Sequence, residues 1–231
     1  MSGDSDLERV DESQPRGLSP WEEAYTRFET PEQEITKFMH RLLGLGAAHW
    51  DKSLRVVELF CGRGNGLHAL SRLGFQHLEG ADLSVGLLAK YEGTAQCYVC
   101  DCRYLPFESE SRDLVIVQGG LHHLSRIPED LEMTLAEMRR VLRPGGFVVI
   151  IEPWLTPFLR LVHAVCAFGL TRRVSTKIDA LAVMIENERG TYEQWLHAPD
   201  AIRALLEKTF DRTKIETRWG KVTFLGHAAR D

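Results

Sequence analysis

Apolar positions along the chain follow two periods in turn. Short, β-branched-rich runs stand at Arg55-Val-Val-Glu-Leu-Phe60, His77-Leu-Glu-Gly-Ala-Asp82, Gln96-Cys-Tyr-Val-Cys100, Asp113-Leu-Val-Ile-Val-Gln118 and in Leu142 to Ile151. Their length and composition fit strands covered on both faces. Between them, Asn65 to Leu73, Ser84 to Tyr91 and Pro128 to Leu142 carry apolar residues at helical spacing. In the last of these, Leu131, Leu135, Met138, Val141 and Leu142 point inward, with Glu129 and Asp130 in the first turn and Arg139 and Arg140 near the end, which suits the helix dipole. Strand and helix alternate without a repeat of fixed period, so the pattern predicts a right-handed, doubly wound α/β sheet.

Two helices are expected ahead of this core, over 19–46. Ser19-Pro-Trp-Glu22 and Thr30-Pro-Glu-Gln33 both place an N-cap, a proline and a reaching side chain in order. Ile35, Phe38, Met39, Leu42 and Leu43 should seat the second helix on the sheet. In the first, Trp21, Tyr25 and Phe28 form an aromatic stripe that either packs on the domain edge or closes over a site. Past the fifth strand, 153–198 read as a helical insertion, Pro199 to Phe210 as a final helix, and Lys214 to Trp219 with Val222 to His227 as an antiparallel hairpin turning at Gly220.

The first strand runs into Cys61-Gly-Arg-Gly-Asn-Gly66. Glycines here permit positive φ and close approach of a ligand, and a helix opening at Asn65 directs free N–H groups at the loop. Alone, this reads equally as a phosphate loop or a tight turn. Asp82, at the end of the second run, stands where an acid can accept both hydroxyls of a ribose. Asp101 follows the third run, and Gly119-Gly-Leu-His-His123 the fourth.

In order and spacing these segments resemble the class I S-adenosylmethionine-dependent methyltransferases of the small-molecule type, over roughly 54–152 and, in kind, the closing hairpin. Glu58-Leu-Phe-Cys-Gly-Arg-Gly64 is similar to the family's first motif, Gly80-Ala-Asp-Leu-Ser84 to its ribose motif, Asp101-Cys102 to its adenine motif, and Leu142-Arg-Pro-Gly-Gly-Phe147 to its turn before the fifth strand. The resemblance implies a seven-stranded, mostly parallel Rossmann-like sheet. It implies S-adenosyl-L-methionine as cofactor, with Glu58, Phe60, Cys61, Gly62, Gly64, Asp82, Leu83, Asp101, Cys102 and Gln118 around it. It also implies an N-terminal helix and the 153–198 insertion as cover for the acceptor. Phe60 departs from the pattern, because the family usually has glycine there and some nucleic-acid methyltransferases have Phe or Tyr.

At 231 residues the chain holds one catalytic domain over 19–231, behind an acidic, disordered tail at 1–18. A formal charge of −5 argues against wholesale nucleic-acid binding, and the acidic start against a secretory leader, so a cytoplasmic enzyme is expected. The Asn/Asp-Pro-Pro-aromatic signature of amino-directed nucleic-acid methyltransferases is absent after the fourth strand, where Gln118-Gly-Gly-Leu121 stands, and no Pro-Cys nucleophile is present. An RNA methyltransferase and a cofactor-binding but inactive regulator remain as alternatives. Cys97, Cys100 and Cys102 are read as buried or cofactor-lining thiols, and no metal is expected.

Methyl transfer from a sulfonium needs positioning above all, worth roughly 7–11 kcal/mol, and at most one base. His122 and His123, past the fourth strand, are the candidates, against a loop-capping and packing role. His163 is a weaker one. The segment from Glu152 to Leu170 carries apolar residues over most of a helix circumference yet is too polar and too proline-broken to span a bilayer; it is covered by protein, covers a hydrophobic substrate, or rests on a membrane, in that order of expectation. Trp154, Phe158, Leu161, Val165 and Phe168 are expected to line an acceptor pocket. The acceptor is then small and partly apolar, with oxygen slightly favoured over nitrogen or carbon.

Overall fold

The computed structural model describes residues 20–229, apart from the side chain of Glu22. The tail expected at 1–18 and the cap at Ser19 lie outside them. Helix α1 (Pro20–Phe28) leads into α2 (Pro31–Gly44), and Thr30 Oγ1 and Gln33 Oε1 exchange backbone N–H bonds in the expected capping box. The core then alternates β1 (Arg55–Leu59), α3 (Asn65–Arg72), β2 (His77–Asp82), α4 (Val85–Leu88), β3 (Gln96–Val99), β4 (Arg112–Gln118), α5 (Glu129–Val141) and β5 (Leu142–Pro153). The insertion forms α6 (Pro157–Ala167), α7 (Gly169–Val174), α8 (Thr176–Asn187) and α9 (Arg189–Leu196). Helix α10 (Pro199–Thr209), β6 (Asp211–Arg218) and β7 (Lys221–His227) close the described chain.

The seven strands lie in the order β3-β2-β1-β4-β5-β7-β6, parallel except for β7, which runs antiparallel to both β5 and β6. Strand periodicity explains the two cores. Val57, Leu59, Val115, Val117, Val148 and Ile150 face α5, α9 and α10, where Trp195 is fully enclosed. Their neighbours Val56, Leu114, Ile116, Val149 and Ile151 face α2 and α3 through Leu42 and Leu70. Both faces are therefore covered, as the runs without polar alternation require. The chain returns repeatedly to the carboxyl ends of β1, β4 and β5, and the insertion arches over that edge.

Three expectations need correcting. The helix expected over 84–91 stops at Leu88, because Tyr91 turns back to cover the glycine loop and its hydroxyl accepts the Ala95 N–H at 3.1 Å. Leu43 is exposed: Leu42 and Phe38 take the inward positions of α2, leaving Leu43 on the outer side of the turn. Of the five residues expected to line an acceptor pocket only Phe158 does: Leu161 and Phe168 face solvent, Trp154 packs on the larger core and Val165 stands off the cavity, since α6 turns Leu159 and Val162 toward the interior instead.

Candidate active site

At the carboxyl edge of the sheet a cavity of about 1090 Å³ opens between the β1, β2 and β4 loops, α1, α2 and the insertion. The loop after β1 forms its floor. Phe60, Gly62 and Gly64 all have positive φ, at 55°, 52° and 77°. A side chain in that region costs about 1–2 kcal/mol, so Phe60 needs compensation. Its ring packs on the larger core and on Gly120, where an added Cβ would fall 2.2 Å from the ring. The departure at Phe60 is thus a packing solution at a position whose backbone still has the glycine conformation. Gly64 leaves room for the Tyr91 ring, 2.1 Å from where a Cβ would sit.

Asp82 anchors this loop: Gly62 N–H donates to Oδ2 at 2.7 Å, and Ser84 N–H to Oδ1 at 2.8 Å. Next to it Leu83 is 71% exposed and lines the cavity, an apolar face free to meet a flat ligand. Asp101 lines it too, but its carboxylate is engaged by the Arg103 guanidinium at 2.6 Å, which holds it below the usual carboxylate range. Arg103 reaches on to the buried Asp130 at 2.9 Å. A ligand amino group at Asp101 therefore shares that acid with Arg103. Of the three neighbouring cysteines, Cys102 lies 3.5 Å from Thr134 Oγ1, Cys100 packs against the larger core, and Cys97 shares the space above Gly80 with Cys61.

Two groups on the cavity wall want partners. Gln118 buries both amide atoms without a hydrogen bond among the described residues, and Glu58 likewise leaves Oε2 unpaired. An unmet buried polar group costs about 1–3 kcal/mol. Burial, with Glu34 nearby, pushes the Glu58 carboxyl well above its ordinary range. Opposite, Glu34 gathers Tyr25, Arg63 and Asn65, tying α1 and α2 to the loop. Tyr25 and Phe28 line the cavity, and Trp21, stacked on Tyr25, meets His123 edge to face with ring centres 5.8 Å apart.

The remaining chemistry lies past β4 and β5. Glu152 is fully buried; its Oε1 accepts the N–H groups of Gly120 at 2.7 Å and Leu121 at 2.8 Å, and its Oε2 faces His122 Nδ1 at 2.8 Å. His122 Nε2 lies 3.8 Å from Glu188, which also pairs with His123 Nδ1 at 3.1 Å. Burial would lower the His122 pKa, but the hydrogen bonds and charges of Glu152 and Glu188 outweigh it and hold it at about 9. Against burial, the two histidines pull Glu188 down to about 2. His122, His123 and Glu188 each offer one metal-ligand atom within 4.8 Å of the others. Their contacts are those of mutually satisfied ion pairs, with Glu152 fixing one ring. His163 binds the Tyr192 hydroxyl at 3.1 Å, as a packed histidine does.

Sequence reasoning brought His122, His123, Gln118, Asp82 and the loop to one cavity but missed Glu152 and Glu188 as their partners. Glu152 had a signal: like Glu58, it is an acid ending an otherwise apolar strand. Glu188 had none, because only the fold of the insertion brings it across.

Residues 57–150 match the family model described as a methyltransferase domain. Among curated relatives, a demethylmenaquinone methyltransferase of Streptomyces griseus subsp. griseus is 36% identical over 110 residues, covering 45% of this chain and 44% of that protein. A ubiquinone/menaquinone biosynthesis C-methyltransferase of Geobacter sulfurreducens is 27% identical over 157 residues, 58% of this chain and 59% of that one. The chain thus spans about half the length of such relatives. A Pyrococcus horikoshii protein of solved structure superposes with a TM-score of 0.67 at 20% identity, covering 91% of this chain and 99% of its own. The chain thus carries a methyltransferase domain over 57–150, in line with its resemblance to the class I S-adenosylmethionine-dependent methyltransferases.

The cavity suits that family's cofactor. Asp82 can meet ribose hydroxyls, Leu83 can cover an adenine face, and the unmet Gln118 amide and Glu58 carboxyl can meet the polar methionine end.

Proposed function

We propose that this chain transfers a methyl group from S-adenosylmethionine to an acidic carbon of a small, largely apolar acceptor, with His122 as the base. The observation that carries the reading is the arrangement around His122, which lines the cavity with Nδ1 engaged by Glu152 at 2.8 Å and Nε2 3.8 Å from Glu188. Once deprotonated, on the alkaline side of its pKa of about 9, a histidine held in this way keeps its remaining proton on Nδ1, and its Nε2 can take a proton from an acceptor.

Bound S-adenosylmethionine supplies an electrophilic methyl. The loop at 60–64 and Asp82 hold it, and the apolar wall of Phe158, Leu159, Val162 and Met184 holds the acceptor and excludes water. His122 Nε2 would accept the proton that the acceptor carbon loses, and the electron pair left on that carbon would bond to the transferred methyl as the methyl–sulfur bond breaks, its electrons staying on sulfur in S-adenosylhomocysteine. Glu152 stabilises the resulting imidazolium. His123 sits one step back, paired with Glu188 and covered by Trp21, and serves to hold Glu188 in place.

The names of the relatives favour carbon, a demethylmenaquinone methyltransferase and a C-methyltransferase, so the reading moves from the oxygen acceptor expected from sequence to carbon. A formal charge of −5 and an apolar lining weigh against RNA as acceptor. The test is transfer of labelled methyl to a reduced naphthoquinone with an unsubstituted ring carbon beside a hydroxyl. Fragmentation of the product should place the label on the ring carbon. A product labelled on oxygen, or label appearing in RNA alone, would refute the assignment.

A further inference from the structure

The large apolar side chains left exposed on the insertion and the adjoining hairpin turn are Phe158, Leu161, Phe168, Leu170, Val174 and Trp219, all but Phe158 between 62% and 82% exposed. Phe158 and Leu161 are one turn apart on α6, Phe168 follows its end, and Leu170 and Val174 are one turn apart on α7. Trp219, at the turn between β6 and β7, meets Phe158 edge to face with ring centres 5.3 Å apart. An exposed surface of this kind marks a contact site.

Its charge says with what. From Pro153 to Ile178 the sequence has Arg160, Arg172, Arg173 and Lys177 and no Asp or Glu, in a chain whose formal charge is −5. Arg172 is spent on Asp179 and Glu186 within the insertion. Arg160, Arg173 and Lys177 are exposed beside the apolar residues, and Arg218 lies over the Trp219 ring at 5.9 Å. A two-fold contact with a second copy would set these cations against themselves. Anionic phospholipid headgroups complement them, and the apolar side chains can enter the acyl boundary.

We infer that α6, α7 and the β6–β7 turn dock this protein on an anionic membrane surface. Among the described residues no helix is long and apolar enough to cross a bilayer, so the contact is peripheral. The membrane reading, placed last on the sequence alone, gains from the outward turn of Leu161 and Phe168. Phe158 and Trp219 also line the cavity, so apolar surface runs from the docking face into the acceptor site. The docking stands on this surface alone; only the entry of an acceptor dissolved in the membrane rests on the proposed function.

Sedimentation with vesicles tests the inference, using phosphatidylcholine alone and phosphatidylcholine mixed with phosphatidylglycerol. The protein should bind the anionic vesicles only. Raising salt from about 0.1 M to about 1 M, which shortens the Debye length from about 10 Å to about 3 Å, should release it. A Phe168→Ser, Leu170→Ser double variant, neither residue of which lines the cavity, should weaken binding about tenfold or more, and Arg173→Glu about fivefold or more. Both should keep wild-type affinity for S-adenosylhomocysteine, which reports the fold and the cofactor site independently. Absence of binding to anionic vesicles, or variants that bind as well as wild type, would overturn the inference. So would a wild-type dimer in sedimentation velocity that the double variant abolishes, because a second copy would then own the face.

Discussion

Replacing Glu152 with Gln keeps the shape of the side chain and changes what His122 can do. The amide oxygen can still accept from Gly120 and Leu121, which Glu152 Oε1 now receives at 2.7 and 2.8 Å. The amide nitrogen is then left facing His122 Nδ1, a donor against a position that had donated at 2.8 Å. His122 must move its proton to Nε2, the atom that has to be free to accept one. A hydrogen bond to a charged group is worth about 1.5–3 kcal/mol, or roughly one to two pKa units at 1.36 kcal/mol each. His122 should therefore titrate well below the value of about 9 it has now. Measured on the alkaline plateau, where both enzymes are unprotonated, kcat should fall about 10²-fold or more, and the pH–rate midpoint should move acidward. Calorimetry on the same alkaline plateau should find S-adenosylhomocysteine affinity close to wild type. A plateau loss below about threefold, well short of what a missing base costs, would show that His122 is not the base. A matching loss of cofactor affinity would return it to a packing role.

Asp82→Ala should weaken S-adenosylhomocysteine binding about tenfold or more, since hydrogen bonds to a charged acceptor are lost together with the anchor of the Gly62 N–H; unchanged affinity would move the ribose elsewhere. Gly64→Ala puts a Cβ at φ 77° and 2.1 Å from Tyr91, and denaturant titration should register a loss of more than about 1 kcal/mol, partly restored by adding Tyr91→Ala. Full stability in the single variant would mean that the loop relaxes freely. The His122 pKa, raised from 6.5 to about 9, contributes stability that is complete below pH 6.5 and is lost as pH rises through about 9. The wild-type melting temperature should fall across that window and that of His122→Gln should fall less, so parallel curves would reject the ion-pair cluster.

The strands were legible because burial on both faces leaves an unmistakable run of apolar residues; β2 occupies the very residues its pattern predicted and β1 and β4 shift by one at an end, whereas β5 already begins at Leu142, inside the stretch expected as a turn, because Leu142 pairs with Arg112. The glycine loop was legible because positive φ tolerates few residue types, and Asp82 because it is an acid closing a strand one βαβ unit further on. Lost from sight was whatever depended on side chains meeting across long separations. Glu188 reaches the histidines only through the packing of α9, and Arg103 is drawn to Asp101 by the buried Asp130. Helix α6 shows a different limit. Apolar residues on nearly its whole circumference conceal which face turns inward, and only its placement over the cavity separated Leu159 and Val162 from Leu161 and Phe168.

A crystal structure of the chain with S-adenosylhomocysteine and a reduced naphthoquinone tests the central claim most directly. The account predicts ribose hydroxyls within about 3 Å of the Asp82 carboxylate, the Gln118 amide satisfied by the amino-acid end, and an acceptor hydroxyl facing His122 Nε2 with a ring carbon in line with the sulfur. A nucleoside bound away from Asp82, or an acceptor whose ring carbon cannot reach the sulfur while His122 remains closed off by Glu188, would contradict it.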